Sequence, residues 1–149
     1  MKIKGLKPTL VPSVPLFFNN KLEFRTTTSL GEYEAKLFVY ALMKLEEQIK
    51  EEDLSMDIVP KAFAIFTDDG ELSIELSDGI LGTNVHFITY AIKRWDKYKL
   101  DEVGKVAVFL EELCHWIWNI SDEVKVKYKV FEILERIYPS IKFDQVFKV

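Results

Sequence analysis

A single cysteine, Cys114, leaves the chain without any internal disulfide and points to a reducing compartment. No apolar run reaches the roughly eighteen residues that a bilayer-spanning helix requires, so no membrane role is expected. The first residues carry lysines but lack the apolar core of a secretion signal, which makes the cytoplasm the expected location. Basic residues are not in excess: 20 Lys and Arg stand against 24 Asp and Glu, for a net charge of −4. That sign argues against nucleic acid as a partner, because phosphate binding draws on a basic face. Lys93, Arg94, Lys97 and Lys99 do cluster around Trp95 and Tyr98, and read as a solvated helix face. Glutamine is limited to Gln48 and Gln145 while Lys, Glu and Ile abound, a tilt seen in heat-adapted proteins.

What is present is ample material for a core. Hydrophobic residues make up 48% of the 149 residues and aromatics 13%, the balance of one globular domain over 1–149. Pro8, Pro12 and Pro15 predict an extended arm over 1–15. Residues 16–28 read as a hairpin turning at Asn19-Asn20, with Leu22, Phe24 and Thr26 alternating with charged or polar neighbours. A second hairpin is predicted from 61–67 and 71–77, turning at Asp68-Asp69-Gly70. Ser29 and Glu32 have capping-box spacing before a helix over 31–51, whose buried stripe is Leu37, Phe38, Ala41, Leu42, Leu45 and Ile49. Segment 82–100 carries both helical and strand periods, and its unbroken length favours helix. Asp101 opens a helix to about 119, Ser121 caps another that Pro139 stops, and a short apolar tail follows over 141–149. Strands and helices are grouped, which gives an α+β fold: an antiparallel sheet of two hairpins packed with three to four helices, the last two forming a helical hairpin.

The helix over 101–119 is apolar around most of its circumference. Val103, Val106, Ala107, Leu110, Leu113, Cys114 and Ile117 form one stripe, with Phe109 and Trp116 on its flank. Glu111 and His115, at i and i+4, project together from the opposite side, with Glu112 beside them. On the next helix Glu135 falls in a second stripe with Val124, Tyr128, Phe131 and Tyr138, where a carboxylate needs a partner, a metal or a proton. Cys114 lies on the core stripe and is expected to be inert.

Glu111-Glu112-Leu113-Cys114-His115 resembles the H-E-x-x-H helix of the zincin metallopeptidases, with the first histidine replaced by glutamate. The resemblance implies a divalent ion such as zinc. Glu111 takes the first ligand position, His115 the second, and Glu112 the position of the general base. In the thermolysin-like branch a glutamate about twenty residues beyond the second histidine is the third ligand, and Glu135 occupies that distance from His115. A carboxylate at position 111 makes the site richer in oxygen than a true zincin centre. Three readings stand side by side: a structural Glu111–His115 pair without metal, a zincin-like protein with lost or altered chemistry, and a working metallohydrolase. Glu112-x-x-His115 also matches half of a di-iron motif, but His86 has no glutamate at the spacing needed for the other half. A reading of another class is a non-catalytic module that binds a protein or peptide partner through exposed aromatics such as Trp95, Tyr98 and Trp118.

Overall fold

Apolar residues at helical spacing produce the longest elements. The computed structural model describes residues 1–148. In chain order its elements are β1 (Lys2–Ile3), β2 (Leu22–Thr26), α1 (Glu32–Glu51), β3 (Ala62–Thr67), β4 (Ile74–Glu75), β5 (His86–Ala91), α2 (Ile92–Lys97), α3 (Glu102–Trp118), α4 (Glu123–Ile137) and α5 (Phe143–Val146). Helix and strand are mixed as expected, in an α+β arrangement. Helix α1 buries Phe38, Ala41, Leu42, Leu45 and Ile49 on one stripe. Its expected capping box is not formed: Gly31 is the N-cap and makes no side-chain cap bond.

Strand direction differs from the expectation. β2, β3 and β5 form a parallel sheet in the order β2–β3–β5, with Leu22 opposite Ala62 and Ala62 opposite His86. Neither predicted hairpin exists. Residues Leu16–Phe18 form a single 3-10 turn, and the chain beyond Gly70 supplies β4, which pairs antiparallel with β1. The Asp68-Asp69-Gly70 turn is real, with Gly70 at φ +80° and its N–H donating to Thr67 Oγ1 at 2.7 Å. It turns the chain away from β3 instead of folding it back. The reason lies in β3, where Ile65 and Thr67 on one face are buried as fully as Ala64 and Phe66 on the other. A strand covered on both faces is the centre of a parallel sheet, and α1 supplies the crossover from β2. Segment 82–100 is likewise corrected: it contributes β5 first and turns helical only at Ile92. Thr89 and the aromatics Phe87 and Tyr90 favour the strand, and β3 offers an edge to pair with.

The long helices cover one face of this sheet. Phe38 of α1 and Phe109 of α3 stack at 4.4 Å, and Phe109 also meets Phe24 at 6.0 Å and Tyr90 at 5.4 Å. The N-terminal arm runs along β2, where Lys7 N–H donates to the Thr26 carbonyl at 2.9 Å and Pro12 is buried. Asp101 caps α3 by accepting from Gly104 N–H at 2.8 Å. The cap of α4 is Asp122, one residue past the expected Ser121, accepting from Val124 and Lys125 N–H. Phe143 of α5 stacks on Tyr128 at 4.7 Å, which packs the tail; residue 149 lies outside the described residues. No helix among the described residues is long and apolar enough to cross a membrane.

Candidate metal centre

The site forms where α3 ends and α4 begins. Val106, Ala107, Phe109, Leu110, Leu113, Cys114, Trp116 and Ile117 are buried, so α3 is gripped around most of its surface. Only its remaining strip, with Glu111 and His115, is left half-buried. Asn119 takes the left-handed conformation at φ 51° and ends the helix, and four residues later α4 is under way. The two helices then run antiparallel. Lys127 pairs with Glu111 at 3.9 Å and Glu123 pairs with His115 at 3.6 Å.

Glu111, His115 and Glu123 each bring a donor atom to within 4.8 Å of the others. The His115 Nδ1 lies in hydrogen-bond contact with the Ile120 carbonyl. A carbonyl only accepts, so Nδ1 carries the proton and donates. The other nitrogen, Nε2, is left facing Glu123. Burial raises the Glu111 carboxyl above its usual range, an effect that Lys127 opposes and Glu112 reinforces. Burial raises Glu112 as well, opposed by His115 and reinforced by Glu123. Three carboxylates around one imidazole and one ammonium leave a deficit of positive charge at this corner.

The sequence-predicted residues are only partly assembled. Glu111 and His115 come together as expected, and Glu112 stands half-buried beside them without joining the convergence. Glu135 does not reach the site. It is exposed on α4 twelve residues beyond Glu123, which is about 18 Å along the helix axis. There it shares a shallow surface depression with Gln48, Glu51, Glu132 and Arg136. The stripe it shares is not a buried one: Val124 and Tyr128 are 49% and 55% exposed, and Glu135 itself is exposed beside the half-buried Phe131 and Tyr138. Glu123 is the residue the sequence reading missed. The signal for it was the short 119–122 connection, which obliges the start of α4 to lie against the end of α3.

The donor set fits a divalent cation of borderline hardness: one imidazole nitrogen and two carboxylate oxygens, with the imidazole oriented by a backbone carbonyl. The aromatics proposed for partner binding separate. Trp95 is buried, Trp118 is half-buried beneath the Lys129 ammonium at 5.0 Å, and Tyr98 is 71% exposed. Burial raises the Cys114 thiol well above its usual range, which makes it a poor nucleophile. No family model, curated protein or solved structure matches the chain.

Proposed function

We propose that the chain is a small metal-binding protein, zincin-like in its ligand helix and altered in its chemistry, with Glu111, His115 and Glu123 as ligands for one divalent ion. The observation that carries this reading is the convergence of the three donor atoms within 4.8 Å, with Nδ1 of His115 already engaged by Ile120. An ion there supplies positive charge that Lys127 alone does not. Glu111 and His115 hold it from α3 and Glu123 from α4, so the ion ties the two helices across their turn. Glu112 is the residue through which a general-base role survives, if its raised carboxyl meets a substrate beside the ion.

Calorimetric titration of the full chain with zinc tests the reading. One equivalent binds to the wild type, His115→Ala and Glu123→Gln each lose at least about tenfold in affinity, and Glu135→Gln binds as the wild type does. Zinc binding that is equally strong in His115→Ala, or that is lost in Glu135→Gln, overturns the assignment.

A further inference from the structure

The second face of the sheet carries a pocket of its own. Parallel sheets are ordinarily covered on both faces, and here the long helices cover only one. On the other, the exposed Arg25 of β2 and the half-buried Phe63 of β3 line a pocket together with the N-terminal segment, and Phe87 of β5 is also half-exposed. A pocket of about 440 Å³, partly open to solvent, lies where that segment meets the sheet, lined by Ile3, Leu6, Phe63, Lys2 and Arg25 among others. This volume lies in the range of small-molecule sites.

We propose that this cavity binds a monocarboxylate with an apolar body, the body lying between Ile3, Leu6 and Phe63 and the carboxylate meeting Arg25. The charge around it supports an anion. Met1, Lys2 and Arg25 line the pocket, and Glu75, opposite Lys2 on β4, is paired with Lys4 at 3.7 Å. Glu23 is the acidic group paired with Arg25. Glu23 and the Phe24 carbonyl engage two of the five guanidinium N–H donors, leaving three for a ligand oxygen. The N-terminal roof is held by few bonds: by the two-residue pairing of β1 with β4, by Lys4 N–H donating to the Ser73 carbonyl at 2.8 Å and by Lys7 N–H donating to the Thr26 carbonyl at 2.9 Å. A ribbon this short opens locally at little cost. The site does not depend on the metal centre, which lies on α3 and α4.

Calorimetric titration of the full chain in the presence of a chelator, with decanoate, decan-1-ol and decyltrimethylammonium as probes, tests the proposal. Decanoate binds at one site, the alcohol binds about tenfold more weakly, and the cation does not bind. Arg25→Gln, an exposed substitution, brings decanoate down to the level of the alcohol. Ile3→Asp, whose fold is checked by circular dichroism, abolishes both. Absence of decanoate binding to the wild type overturns the proposal. So does binding that survives both Arg25→Gln and Ile3→Asp unchanged, because the probe would then sit elsewhere.

Discussion

His115 donates Nδ1–H to the carbonyl of Ile120, and this bond sets which ring nitrogen faces Glu123. The donor residue lies in the last turn of one helix and the acceptor in the connection to the next. The orientation of the imidazole is thereby tied to the path of the 119–122 connection. Metal-binding histidines are commonly fixed in this way through their second nitrogen.

Restoring a histidine at position 111 strengthens the centre. Glu111→His offers two imidazoles at i and i+4 beside Glu123, nearer to the zincin ligand set. Saturating zinc, about a hundredfold over Kd, then adds about 2.7 kcal/mol to stability, or roughly 5–10 °C in Tm for a chain of this size. At the same zinc concentration the gain falls to about half or less in Glu111→His combined with Glu123→Gln. It persists in Glu111→His combined with Glu135→Gln. A shift that follows Glu135 instead would return the third ligand to its sequence-predicted place.

Asn119 holds a left-handed conformation that asparagine and glycine tolerate and β-branched residues resist. Asn119→Gly changes stability little. Asn119→Val lowers it by about 1–2 kcal/mol in urea denaturation. Because the turn also carries the Ile120 carbonyl, the valine variant loses zinc affinity as well, and an unchanged affinity would uncouple the turn from the imidazole.

Glu52 provides a pH-dependent clamp between α1 and α4. Burial alone would raise its carboxyl, but both oxygens accept from Lys129 at 2.9 Å and one accepts from Gln48 at 2.8 Å, and the net shift is downward. A carboxyl lowered in the folded state stabilises the protein above its unfolded pKa, and that contribution is lost as pH falls through the folded value. Glu52→Gln therefore reduces stability by about 1 kcal/mol at neutral pH. The difference from wild type shrinks in acid, below the ordinary carboxylate range. Urea midpoints measured across pH 2–7 report it; a difference that stays constant removes the clamp.

Phe109 is the aromatic keystone of the core, touching Phe24, Phe38 and Tyr90. Phe109→Ala costs about 3–5 kcal/mol, read from thermal or urea unfolding, and Phe109→Leu costs markedly less because most of the volume is kept. Equal losses in the two variants would mean that volume is not what this position supplies.

The helices were legible because their patterns are long. The stripe from Phe38 to Ile49 and the near-continuous apolar surface of α3 fix element type and buried face together. Strand pairing was not legible, since alternation such as Ala62, Ala64 and Phe66 against Phe63 and Ile65 says nothing about the direction of the neighbour. Asp68-Asp69-Gly70 is legible as a turn but not as the end of a hairpin, because the destination of a chain after a turn is decided by tertiary pairing. In the site, Glu111 and His115 were visible from one helix alone. Glu123 was not, because its position depends on how tightly the next helix folds back, and the twenty-residue spacing points to Glu135, at the far end of that helix.

The order β2–β3–β5 also shapes how the molecule comes together. Ala62 sits between Leu22, forty positions earlier, and His86, twenty-four positions later. During synthesis β3 emerges while one of its two partners is still unmade, and it stays half-paired until the chain passes residue 91. Helices α3 and α4 close locally and need no such wait. Distant pairing of this kind slows the rate-limiting step, so tertiary contacts across the sheet should form after most helical signal has returned. Stopped-flow refolding would show this as circular dichroism recovering ahead of the environment of Trp95, which packs edge-on against Phe38 and Tyr90.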